Sequence, residues 1–120
     1  MLCALFPLID EASWASQSRA EIEAKVAEYG PYVEALTKAG VLVGAFRPEP
    51  SFAAKTVRLA DGKPQVQDGP FAATKEQLGG IYILDVPDLD AALSWAARNP
   101  AAGYGAVEVR PLAGPPPRAS

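Results

Sequence analysis

The stretch Ile81-Tyr82-Ile83-Leu84-Asp85-Val86 decides the fold. Read as an extended strand, it sends Ile81 and Ile83 to one face and Tyr82, Leu84 and Val86 to the other, so both faces are apolar. Such a strand must be covered twice, once by helices of its own chain and once by something else. Immediately upstream lie Asp68-Gly69-Pro70-Phe71 and Thr74-Lys75-Glu76-Gln77-Leu78-Gly79-Gly80. Asp-Gly-Pro reads as a tight turn, with the aspartate opening it, Gly69 supplying an unusual φ and Pro70 fixing the next. Thr74 with Gln77 forms a capping pattern for a single helical turn, which Gly79 is expected to stop.

Working outward, Leu2–Ile9 is almost continuously apolar and too short for a buried helix, so it reads as a strand. Residues 10–17 read as a loop with room for one helical turn carrying Trp14. Ser18-Arg19-Ala20-Glu21 is a capping box, and the helix it opens places Ile22, Val26, Tyr29, Val33 and Leu36 on one stripe. Gly30-Pro31 should kink that helix and Gly40 should end it. Val41–Phe46 is a second strand. Lys55–Ala60 and Lys63–Gln67 flank Asp61-Gly62, a strong hairpin signal, and Pro64 assigns the second arm to an edge. Asp88 caps a helix whose Leu89, Ala92, Leu93 and Ala96 should share one face before Asn99-Pro100 ends it. Ala106–Arg110 is the last strand, with Val107 and Val109 inward.

This order predicts an α+β fold: a ferredoxin-like α/β sandwich with a mainly antiparallel sheet, in one domain over residues 1–112, and a flexible tail over 113–120. Helices cover only one sheet face. The economical cover for the other is a second copy, which predicts a homodimer closed as a dimeric α/β barrel.

Composition removes several functions. The chain has 120 residues, 49% hydrophobic and 21% charged, as expected of an ordinary globular domain. Net charge is −3 and the 11 basic residues are scattered, which disfavours nucleic acid as a partner. The single cysteine, Cys3, lies in an apolar run, where it reads as a core thiol in a reducing cytoplasm. The N-terminal run is too short to span a membrane and lacks a basic leader. Histidine is absent altogether. That excludes serine–histidine and cysteine–histidine nucleophile systems, and no metal or redox cofactor is expected.

Asp10-Glu11 with Trp14, Tyr29-Gly30, Ala39-Gly40-Val41, Thr56-Val57-Arg58, Asp68-Gly69-Pro70-Phe71, Thr74-Lys75-Glu76, Leu78-Gly79-Gly80, Asp85-Val86-Pro87 and Val107–Pro111 recur in this order and spacing. As a set they resemble the DGPF branch of the YCII-related family over nearly the whole chain. The resemblance implies the dimeric α/β-barrel fold. It implies no reaction, since most such proteins have no assigned activity, and some are encoded beside sigma factors of the extracytoplasmic type. Two positions depart from the usual pattern: Ala73 replaces an acidic residue and Ile81 a tyrosine. The histidine–aspartate proton-transfer pair proposed for some relatives has no counterpart here.

The ligand-binding candidates are Asp68, Lys75, Glu76, Tyr82 and Arg58. Asp68 is a general acid/base at a pocket mouth or a residue capping its own turn. Lys75 and Glu76 line an anion or carboxylate site at the start of the helical turn, or are solvated. Tyr82 packs in the core or dimer, or turns its hydroxyl to the pocket. Arg58 meets an anionic ligand or water. Two function classes follow. One is a small-molecule protein binding an apolar or carboxylate-bearing ligand in an accessory role, or performing a lyase- or isomerase-type proton transfer. The other is a non-catalytic regulatory partner linked to a sigma factor.

Overall fold

A computed structural model describes residues 1–115. Residues 116–120, most of the stretch expected to be a flexible tail, lie outside the described residues. In chain order the elements are β1 (Leu2–Ile9), α1 (Glu11–Ala15), α2 (Arg19–Ala27), α3 (Tyr29–Lys38) and β2 (Leu42–Phe46). A short 3₁₀ turn (Ser51–Ala53) leads to the hairpin β3 (Lys55–Ala60) and β4 (Lys63–Asp68), then β5 (Gln77–Leu78) and β6 (Ile81–Asp85). The chain closes with α4 (Leu89–Arg98), a second 3₁₀ turn (Pro100–Gly103) and β7 (Ala106–Pro111).

The main sheet is antiparallel throughout, with β1 at its centre. On one edge of β1, Leu2–Leu5 pair with β6 and Leu8–Ile9 with β5. On the other edge β7 pairs from Cys3↔Pro111 to Leu8↔Ala106. β2 joins outside β6. The result is the expected ferredoxin-like α+β sandwich. Helices α3 and α4 cover one face over a core of Cys3, Leu5, Tyr32, Leu36, Tyr82, Leu84, Val86, Ala92 and Ala96. The opposite face presents Leu2, Phe6, Leu8, Ile81 and Ile83, all partly accessible. The two-sided apolarity of the decisive strand is therefore real: Leu84 is wholly buried under the helices while its neighbours Ile81 and Ile83 keep access to solvent.

Four details differ from the sequence expectation. The helix expected to run from Ser18 to Gly40 with a kink is two helices, α2 and α3, broken at Glu28. The break precedes Pro31, which then sits in the first turn of α3, where a missing N–H costs nothing. In α4, Ala92 and Ala96 are buried with Ala91 and Trp95 beside them, whereas Leu89 and Leu93 stay 43% and 48% exposed. The buried stripe thus centres on 91/92 and 95/96, leaving Leu89 and Leu93 at its margin.

The third difference concerns the signature block. No helical turn forms over residues 74–78; Gln77 and Leu78 instead pair with Ile9 and Leu8 as β5. Gly79 and Gly80 are spacers, not a helix stop. A Cβ on Gly79 would lie 3.0 Å from the Ile9 side chain, and one on Gly80 3.2 Å from both Pro7 and Tyr82. Only glycine lets this segment lie so close against β1 and continue into β6. The fourth is the hairpin. It turns at Asp61 (φ 52°) and Gly62 (φ 74°), as the Asp-Gly signal requires, but its two strands form a sheet of their own. Val57, Leu59 and Val66 on it are 60–73% exposed.

Candidate functional site

Where α1, α2 and α3 meet the ends of β2 and β6, the helices do not close on the sheet. They leave a cleft of about 840 Å³. Ile22, Val26, Tyr29 and Val33 form one wall, Trp14 and Ala15 of α1 another, and residues 46–52 a third. Tyr82 and Gly79 line it from the sheet side. The stripe that reads as core in the sequence divides in the structure. Tyr32 and Leu36 are buried, while the four residues toward its N-terminal end face the cleft.

The cleft is held by specific bonds. Asp10 caps α1 by accepting from the backbone N–H groups of Ala12 and Ser13, and Ser18 caps α2 by accepting from Glu21. The carboxylate of Glu11, in the first turn of α1, accepts the Ser51 N–H at 3.0 and 3.1 Å, pinning the 46–52 wall to the helix. The Glu11 N–H in turn donates to Gln77 Oε1 at 2.9 Å, which ties α1 to β5. Trp14 packs edge-on against Tyr104, with ring centroids 5.7 Å apart. Tyr104 shares a 2.6 Å hydroxyl–hydroxyl hydrogen bond with Tyr29. The Lys25 ammonium sits over both the Trp14 and Tyr104 rings, at 5.3 and 5.1 Å.

Deeper in, Tyr82 is 6% exposed and meets Tyr32 edge-on at 5.5 Å. Tyr32 donates to the Trp95 carbonyl at 2.9 Å. Burial pushes the hydroxyls of both Tyr32 and Tyr82 up to about 12, with the adjacent Asn99 amide pulling the other way. Burial, and next its bond with Tyr104, hold the Tyr29 hydroxyl far above the ordinary phenol range; Tyr104 is raised by burial as well. All four phenols therefore keep their protons at neutral pH. They serve as hydrogen-bonding groups and not as bases.

The five residues singled out from the sequence do not converge on one concavity. Tyr82 alone lines the large cleft. Glu76 lines an adjoining hollow of about 440 Å³, which also takes Pro70, Phe71 and Thr74 and shares Pro48, Glu49, Ser51 and Leu78 with the cleft. Arg58 lies on the hairpin, its guanidinium 4.8 Å above the Phe71 ring. Lys75 is exposed, and the helical turn that would have given it an anion site is absent. Asp68 ends β4 and pairs with Lys55 across the hairpin. It does not cap its own turn. That work falls to Thr56, whose hydroxyl donates to the Gly69 carbonyl, and to the Gly69 N–H, which donates to Ala54.

Glu11, Trp14 and Tyr29 are the cleft residues that sequence reasoning passed over as site candidates. Their signal was present among the landmarks, as Asp10-Glu11 with Trp14 and Tyr29-Gly30. What concealed it was periodicity. A helical stripe facing a cleft has the same spacing as one facing a core.

Two outcomes follow. Asp68→Ala removes a pair whose side chains are 60% and 87% exposed, so stability should change by no more than about 0.5 kcal/mol in denaturant titration. Tyr32 and Tyr82 carry hydroxyls raised to about 12, above the value of 10 they take when unfolded. The unfolded chain ionises first as pH rises, so their stabilisation is complete below pH about 10 and is lost between about 10 and 12. Ultraviolet titration of tyrosinate alongside circular dichroism should show their ionisation only together with this alkaline unfolding.

Comparison with known proteins agrees with this architecture. The family model for the YCII-related domain matches residues 1–114. A protein of Rhizobium meliloti (strain 1021), described as Uncharacterized protein R00369, is 39% identical over 115 residues, covering 94% of this chain and 93% of the relative. On both grounds the chain belongs to the YCII-related family.

Proposed function

We propose that this protein is a homodimer that binds a small, largely apolar molecule in the cleft between α1–α3 and the 46–52 segment, in an accessory role rather than as an efficient enzyme. One observation carries the reading: Ile22, Val26, Tyr29 and Val33, the apolar stripe of α2 and α3, line an open cleft whose volume suits a small-molecule site. A few polar groups stand among these walls, chiefly Glu11, Arg47, Glu49 and the protonated phenols. A lyase- or isomerase-type proton transfer would have to use Glu11 or Glu49, because the phenols hold their protons. Glu11 is already committed to Ser51. The dimer draws its support from the helix-free sheet face and from the hairpin, whose apolar residues gain nothing from their own chain. The same hairpin is the surface a sigma-factor partner would use, and a monomer in solution would favour that alternative.

The neutral fluorophore N-phenyl-1-naphthylamine should bind with a blue-shifted, enhanced emission. Val26→Arg, at a position 39% exposed, should weaken it by at least about tenfold while leaving the fold intact. Equal binding by the variant would place the probe elsewhere. In sedimentation velocity the protein should run as a dimer at micromolar concentration, and Ile83→Arg on the open face should convert it to monomer. A wild-type monomer would remove the dimer from the proposal.

A further inference from the structure

The ligand-binding reading above leaves the charge of the occupant open, and the present inference rests on that reading. The lining of the cleft is unusual in two respects. Trp14, Tyr29, Phe46, Phe52 and Tyr82 all contribute to it, which is half of the aromatic residues of the chain. Two carboxylates, Glu11 and Glu49, line it against the single cation Arg47. Aromatic faces carry negative partial charge and attract cations, most strongly at tryptophan. Glu11 accepts only the Ser51 N–H, and a carboxylate has about four lone-pair sites, so it retains acceptor capacity. Rings and carboxylates thus bias the cleft in one direction.

An independent observation supports this bias. The Lys25 ammonium already rests over Trp14 and Tyr104 at 5.3 and 5.1 Å, so a ring that lines the cleft holds a cation in the folded chain. The walls are otherwise aliphatic, which sets a second condition. A strongly hydrated ammonium would lose its water without enough hydrogen bonds in return. A tertiary or quaternary ammonium spreads its charge over carbon and sheds water at less cost.

We propose that the cleft selects lipophilic organic cations: an alkyl or aryl body bearing one tertiary or quaternary ammonium, the body among Ile22, Val26 and Val33 and the charge toward Trp14 and the two glutamates. Arg47 marks the competing outcome, a carboxylate on the same body.

The test is displacement of N-phenyl-1-naphthylamine from the full chain by decyltrimethylammonium, 1-decanol and decanoate, each below its micelle concentration. The cation should displace the probe at about tenfold lower concentration than the alcohol, with decanoate weakest. Glu11→Gln/Glu49→Gln should bring cation and alcohol within about twofold, and Trp14→Leu should narrow the gap as well. Both variants should still bind the neutral probe, which verifies that the cleft is intact. Equal displacement by cation and alcohol, or decanoate leading, overturns the inference and leaves small-molecule binding standing. A cation preference that survives in both variants overturns its assignment to these residues. Failure of the wild-type protein to bind the probe overturns the binding reading itself, and this inference with it.

Discussion

Strand β1 is hydrogen-bonded along both edges, to β6 and β5 on one side and to β7 on the other, and every other element takes its place from that arrangement. Its alternation sends Cys3 and Leu5 beneath α3 and α4, where both are fully buried. β6 contributes Tyr82 and Leu84 to the same core. With β1 fully paired, its polar backbone is satisfied and the exposed edges of the sheet move outward to β2 and β7. The close approach of β5 then imposes the paired glycines, because any side chain at 79 or 80 would have to displace Ile9, Pro7 or Tyr82.

Much of this was legible in the residues. Leu2–Ile9 and Ile81–Asp85 announce buried strands by continuous apolarity, Asp61-Gly62 announces its turn, and Ser18 and Asp88 announce their helices by cap chemistry. These are local signals with local causes. The failures share a different cause. Thr74 and Gln77 have the spacing of a cap, yet Gln77 takes a place in the sheet, donating its amide to the Thr74 carbonyl and accepting from Glu11. A partner in the sheet outweighed the gain of one isolated helical turn, which is marginal in water.

The candidate site was less legible for a related reason. Asp68, Arg58 and Lys75 are polar residues near a conspicuous motif, and polarity drew the reading to them. The cleft is built largely from apolar side chains whose pattern is indistinguishable from that of a core. Whether Val26 and Val33 meet another helix or open space depends on how α1 is anchored, through Glu11 to Ser51 and through Gln77 to β5. Those anchors join residues 40 and 66 positions apart. Only Tyr82 belonged to both readings, because its position on a central strand makes it core at its base and cleft at its tip.

The central place of β1 also sets an order of events at the ribosome. β1 is synthesised before either of its partners, and its last one, β7, pairs Cys3 with Pro111. At about 5–20 residues per second, the apolar Leu2–Ile9 segment leaves the ribosome about 5–20 s before the strand that completes its pairing. During that interval it is an unpaired strand of eight residues with no charge among them. This family's sheet thus closes only when the chain is almost complete, and the interval is one in which a nascent-chain chaperone, or a second nascent copy, competes for the same edge.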